Sequence, residues 1–135
     1  MADPMSVFQV AGRAMSAQLV RLNTTASNLA NAGGTTGSAD TAYKTMKPVF
    51  RTSFDAATGL STVDVEKIVT AGEDPTKRHD PNNPMADKDG NVFEAAVDET
   101  RELVDMMETA RTYQNNVEVM QTAKSLILDT LKMGR

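Results

Sequence analysis

Both ends of this chain carry apolar residues at helix-seam spacing, and the middle carries none. Near the start, Phe8, Met15, Leu22 and Leu29 recur every seven residues, with Gly12, Leu19 and Ala26 at the offset positions. Near the end, Leu103, Met106, Ala110, Tyr113, Val117, Met120, Lys124, Ile127 and Leu131 alternate by three and four. Lys124 is the only member of the second series that is neither apolar nor small. This is the spacing of helices whose seams face another helix. Two such helices at opposite ends of one short chain are natural partners for each other.

The first helix is expected from about Pro4 to Asn31, roughly 40 Å at the usual rise per residue. Asp3 is placed to cap it, Pro4 suits its first turn, and Gly33 and Gly34 suit a left-handed termination. Small residues such as Ala11, Ala14, Ala17 and Ala30 allow close approach on more than one side. The last helix is expected from near Val97 to about Met133. Asp98, Glu99 and Glu102 at its start and Lys132 and Arg135 at its end suit the helix dipole.

Between them, 33–42 read as a polar loop. Residues 43–54 read as extended, with Pro48 favouring an edge. Leu60 to Val69 alternates, placing Val63, Val65 and Ile68 inward and Asp64 and Glu66 outward. Residues 72–91, crowded with Pro, Asn, Asp and Gly, read as one long loop, and Val92-Phe93 as a short extended piece. The fold class is therefore α+β. Long N- and C-terminal helices pair as a coiled coil, and a small irregular β-containing insert lies between them. The discontinuous helical domain comprises 1–32 and 97–135, and the insert 33–96. So small an insert, with few large apolar residues, is near the limit of independent stability. Aromatic content is 4%, without Trp, which is thin for a globular core. We expect the chain to complete its core by association.

Several chemistries are excluded. With no Cys there is no disulfide, thiol nucleophile or thiolate metal site. A net charge of −4 and no long basic run argue against nucleic acid as a partner. No run of about 18 apolar residues exists, so no transmembrane helix is expected. The early segment also lacks the form of a cleaved secretory signal. His79, the only His, has no nucleophile-elbow serine motif to serve. Around Asp87-Lys88-Asp89-Gly90, a calcium-loop register would put Met85 and Ala96 at ligand positions, so a tight turn is the better reading. Gly33-Gly34 lacks the lysine of a phosphate loop. Glu73-Asp74 has no apolar pocket to raise a carboxyl pKa. No catalytic, cofactor or metal residue is assigned.

The end of the first helix is more informative. Asn23, Thr24, Thr25, Ser27, Asn28 and Asn31 are poor helix formers, and so many together suggest side chains engaged elsewhere. From Ala17-Gln18-Leu19 through Asn28-Leu29-Ala30-Asn31, with Tyr43-Lys44 following, the chain resembles the bacterial flagellar rod and hook proteins. Asp80-Pro81-Asn82-Asn83-Pro84-Met85 and the tail from Ala110 to Leu126 resemble the proximal-rod branch of that family. His79, Asn83 and Glu94-Ala95-Ala96 depart from its pattern.

The resemblance implies a structural subunit, not an enzyme, of the basal-body rod in the periplasmic space. Its terminal helices would polymerise into a drive shaft that surrounds the export channel, transmits motor torque and is required for motility. The partners implied are further copies, the axial proteins FlgB, FlgF, FlgG and FliE, and the flagellar type III export apparatus. A FlgB-type sibling and a cytoplasmic helical-hairpin adaptor are the alternatives. The expected seam and assembly residues are Phe8, Met15, Leu19, Leu22, Asn28, Leu29, Asn31, Leu103, Met106, Tyr113, Val117, Met120, Ile127 and Leu131. Asn28 and Asn31 would fix register through hydrogen bonds. Lys124 would either meet an acceptor or pack its stem and send its ammonium to water.

Overall fold

The computed structural model describes residues 4–134, with Pro4 and Met5 as backbone only. It is an α+β protein: helix α1 (Pro4–Ala30), strands β1 (Thr35–Thr36), β2 (Met46–Asp55), β3 (Leu60–Thr70), β4 (Thr76–His79) and β5 (Asn91–Glu94), and helix α2 (Glu99–Met133). The expected Asp3 cap and the contribution of Arg135 lie outside the described residues.

α2 starts two residues later than the apolar pattern suggests, because Asp98 caps it. The Asp98 carboxylate accepts the Arg101 N–H at 3.1 Å, and its carbonyl accepts the Glu102 N–H at 3.0 Å. Its other end closes with the Gly134 N–H on the Thr130 carbonyl. α1 ends without left-handed glycines, since neither Gly33 nor Gly34 has positive φ. Its last carbonyls are satisfied by tight turns instead. Ala32 N–H bonds to the Leu29 carbonyl, and the Asn31 amide reaches back to the Ser27 carbonyl at 2.8 Å. Asn31 replaces the glycine termination because its side chain supplies a donor that glycine lacks.

The strands form two sheets. β5 is central in a three-stranded sheet of order β1-β5-β4, antiparallel throughout, with Thr35 opposite Glu94 and Lys77 opposite Phe93. β1 and β4 fall within segments read from sequence as loops. Thr76–His79 has no apolar alternation and is exposed along its length. It is a strand only because β5 pairs with it, and Arg78 fixes it further by an ion pair with Glu94 at 2.8 Å.

The rest of the long loop is held by local bonds. Asp87 accepts the backbone N–H groups of Asp89 and Asn91, and Gly90 takes φ +75. The tight turn expected there is what forms. Gly37 is needed for closeness: a Cβ there would sit 2.9 Å from the Met85 carbonyl oxygen.

β2 and β3 make a separate two-stranded ribbon, closed where the Gly59 N–H meets the Asp55 carbonyl at 2.7 Å. Asp55 also accepts the Ala57 N–H at 2.9 Å. That backbone bond, joined by the Thr58 hydroxyl, holds its carboxyl below the usual value. A lowered carboxyl pKa favours the folded turn above the ordinary carboxylate range, and the gain fades as pH falls through the lowered value.

The ribbon departs from the expected facing at Val63 and Ile68, which are exposed, while Val65 is half-buried and Glu66 exposed as expected. Thr62 is buried, and Arg13 of α1 donates to its Oγ1 at 3.3 Å and to Asp64 Oδ2 at 3.1 Å. These polar residues of β3 meet a cation that period-two reading cannot see.

The chain forms two compact units. One contains residues 1–22, 48–67 and 107–135, where Ala11, Ala17, Thr62, Thr109 and Ala123 are buried. In this unit the first turns of α1 and the second half of α2 run side by side. Val7 shares an apolar groove with Val119, Ala123 and Leu126, and Phe8 shares another with Ile127 and Leu128. The other unit contains 23–47 and 68–106, with Thr25, Asn28, Ala32, Ala42, Thr45, Val92, Ala95 and Glu102 buried.

Val92 is fully buried and is the largest apolar residue of the buried core. Val92→Ala removes two methyl groups and leaves a gap, and should destabilise the chain by about 2–3 kcal/mol. Urea unfolding followed by circular dichroism reads this as a lower midpoint with unchanged slope.

Candidate functional site

The polar end of α1 is a hydrogen-bonded hub. Asn28 is 1% exposed, and its carboxamide uses its whole bonding capacity. Its Nδ2 donates to the Met46 carbonyl at 2.9 Å and to Glu102 Oε2 at 3.0 Å. Its Oδ1 accepts the Met46 N–H at 2.9 Å and the Tyr43 hydroxyl at 2.7 Å. The amide orientation is fixed, because the Met46 N–H can only donate and its carbonyl can only accept. Tyr43 spends its one proton on Asn28, so Ser27 Oγ, 3.2 Å away, donates to Tyr43.

Each part of the hub comes from a different element. Ser27 and Asn28 lie on the last turn of α1, Met46 opens β2, and Glu102 sits on the first turn of α2. The paired bonds to the Met46 backbone make Asn28 act as a neighbouring strand would, at the point where β2 begins. Thr45, just before it, donates from its hydroxyl to the Ala96 carbonyl, and its own carbonyl accepts the Ala71 N–H. Glu102 is only 5% exposed, although it stands in a helix first turn where acids are usually solvated. Reading it only as a dipole partner misses this role. The available signal is its place directly before Leu103 at the start of the seam.

The seam residues predicted from sequence fall into three groups. Asn28 is buried. Phe8, Met15, Leu22, Leu29, Met106, Tyr113, Val117, Met120 and Ile127 are half-buried. Leu19, Asn31, Leu103 and Leu131 are exposed, Leu131 at 64%. Apart from Asn28, the buried positions lie beside this series: Ala11, Ala17, Thr24 and Thr25 on α1, and Glu102, Thr109 and Ala123 on α2. They are small or polar, whereas the predicted seam is rich in Leu, Met and Phe and is half-buried or exposed.

Lys124 is exposed beside Phe8, Ile127 and Leu128, with no ion pair among the described residues. Its stem packs and its ammonium faces water. His79 is exposed in β4, with Nδ1 3.2 Å from Asn91 Oδ1 and no serine arranged beside it. Among the described residues no cluster of His, Asp or Glu could hold a metal ion. No described helix is long and apolar enough to cross a membrane. The arrangement fixes three chain segments together and leaves apolar residues of α2 exposed.

Comparison with known proteins gives this architecture a setting. Residues 8–37 match the family described as "Flagella basal body rod protein", and residues 89–133 match "Flagellar basal body rod FlgEFG protein C-terminal". The flagellar basal-body rod protein FlgC of Salmonella typhimurium is 40% identical over 133 residues, covering 97% of this chain and 98% of the relative. FlgC of Yersinia enterocolitica is 39% identical over 131 residues, with 97% and 98% covered. FlgC of Agrobacterium fabrum is 32% identical over 134 residues, with 97% and 96% covered. The first match contains Asn28, and the second contains Glu102.

Replacing Asn28 by Ala strands Met46 and Glu102 together and should cost at least about 3 kcal/mol, a large part of a typical domain's stability. Tyr43→Phe removes one bond and should cost about 1 kcal/mol. Glu102→Gln keeps an acceptor for Asn28 and should be milder than Glu102→Leu. Chemical denaturation of the series tests the ranking; equal effects of Asn28→Ala and Tyr43→Phe would contradict the hub.

Proposed function

The chain belongs to the flagellar basal-body rod protein FlgC family, and for this structural rod subunit we propose that it polymerises through the Leu- and Met-rich faces of its two long helices. One observation carries the reading. Among the described residues, six of the seven buried apolar ones are alanines, whereas Leu19, Leu103, Val104, Met107, Leu126, Leu128 and Leu131 are exposed. A chain that places its small residues inside and its large apolar ones outside gains most of its hydrophobic burial by association.

Successive residues in a helix point about 100° apart, so a helix with two apposed faces meets two neighbours at once. The buried small and polar residues, Ala11 to Asn28 on α1 and Glu102 to Ala123 on α2, serve the subunit itself. The predicted seam, through Phe8, Met15, Leu19, Leu22 and Leu29 and through Leu103, Val117 and Leu131, serves coiled-coil packing with other axial helices. Residues 1–32 and 97–135 form the axial helical domain, and 33–96 an insert carried outside it. Repetition of a heterologous contact that does not close produces a helical filament. Such a filament would surround the export channel and carry torque from motor to hook. Its partners are further copies, neighbouring axial proteins of the FlgB, FlgF, FlgG and FliE types, and the type III apparatus that exports the subunit.

Charge on the outward series separates assembly from folding. Leu103→Glu and Leu131→Glu should each change the stability of the free chain by no more than about 0.5 kcal/mol, as surface substitutions do. Both should abolish swimming while the variant chain is still exported. Soft-agar motility, thermal melts of the purified chain and immunoblots of exported protein make the test. Wild-type swimming by both variants would count against these faces as the polymer contact.

A further inference from the structure

Val119 of α2 borders unfilled apolar grooves on two sides, one shared with Val7 and Leu126 and the other with Val10, Ala14 and Leu60. It is 44% exposed, and the residues three and four positions from it, Asn115, Asn116, Thr122 and Ala123, carry no charge. Other exposed apolar residues of α2 have charged neighbours four positions away: Leu103 has Glu99, Met107 has Arg111, and Leu128 has Lys124 and Lys132. Glu118, itself exposed, is the one charged residue along the Val119 grooves among the described residues. These grooves therefore suit an uncharged helix face and disfavour a charged one.

α1 carries such a face. Its 27 residues include no acid and two arginines, Arg13 and Arg21. Phe8, Gly12, Met15 and Leu19 follow one another along one side at spacings of four, three and four, and neither arginine belongs to that row. Gly12 stands in the helix interior, where glycine is destabilising relative to alanine. It lacks the positive φ of Gly59, Gly72 and Gly90, and a Cβ in its place would meet no heavy atom within 4 Å. The free chain gains nothing from glycine at this position. A second helix lying against it does, because the missing side chain lets the two backbones approach.

We propose that α1 of one copy seats in the Val119 groove of a second copy, with Gly12 over Val119. This rests on the rod-subunit reading above and names its contact. Val119 is the knob, and the gap bounded by Phe8, Gly12, Met15 and Leu19 is the hole. The contact is not made within one chain, because there Val119 and the space beside Gly12 are both open. One surface lies on α1 and a different one on α2. Each copy therefore receives one neighbour and enters another, and the contact repeats without closing.

Purified Gly12→Ala should melt about 2–5 °C above wild type, since alanine favours the helix and meets open space. Gly12→Leu should melt no lower than wild type but fills the hole. Swimming in soft agar should then fall at least about threefold, with the exported chain depleted from isolated basal bodies. The chain has no Cys, so Ser16→Cys, one turn from Gly12, and Thr122→Cys, beside Val119, can be combined without background. Mild oxidation of basal bodies containing the double variant should give a ladder of linked copies on a non-reducing gel. Each single variant should stay monomeric. A Gly12→Leu chain that swims and assembles as wild type overturns the proposal. So does a lower melting temperature for Gly12→Ala, or double-variant basal bodies in which no copies link. Dimers from either single variant show a two-fold contact and overturn it too. The wild-type chain, expressed in a strain lacking its own proximal rod protein, is the control for the underlying reading. If wild type itself never enters basal bodies, the rod-subunit reading fails. If wild type enters and the paired cysteines do not link, only the contact of Gly12 with Val119 fails.

Discussion

The carboxamide of Asn28 is the interaction on which its unit of the structure depends. Four hydrogen bonds from one side chain fix the end of α1, the start of β2 and the first turn of α2. In an interior of alanine and threonine, directional bonds of this kind supply a definition that packing alone does not. Two of the four go to the backbone of Met46, so the strand's starting point is set by a side chain from a helix. The buried Glu102 is tolerable there because Asn28 donates to it. Poor helix formers from Asn23 to Asn28 remain helical because their polar groups are used tertiarily, which offsets their low propensity.

The second organising fact is the inversion of size between inside and outside. Soluble monomers expose scattered apolar residues without consequence. Here the exposed ones concentrate on α2, at Leu103, Val104, Met107, Val119, Leu126, Leu128 and Leu131, with Leu19 on α1, and the buried ones among the described residues are mostly a single methyl group. Small buried residues let helices approach closely, while large outward ones remain available for later contacts. In the proposed assembly, folding of the free chain and growth of a filament would draw on different residues of the same helix.

How much was legible in the sequence varies by element for physical reasons. Both helices and their extents were readable within two residues, because helical periodicity and end chemistry are local. β2 and β3 were readable too, though the facing of β3 was not. Val63 reads inward from its spacing and is exposed, and Arg13, about fifty positions earlier, bonds Thr62 and Asp64 on the other face of the strand. β1 and β4 were invisible: Thr35–Thr36 and Thr76–His79 are strands only because β5 lies between them. Asn28 stood out as part of a family-like signature, but its partners Tyr43, Met46 and Glu102 did not, since nothing local links residues up to 74 positions apart.

The sequence by itself determined two long helices, a thin middle and the family likeness. These follow from residue order and composition, which act over a few turns of chain. Only the tertiary structure decided which helix residues are buried. Ala11, Ala17, Asn28, Thr109 and Ala123 are, while Leu103, Leu126 and Leu131 are exposed. Seam spacing shows that a face of a helix can be covered but not which of two neighbouring faces will be, because these differ by one residue of rotation.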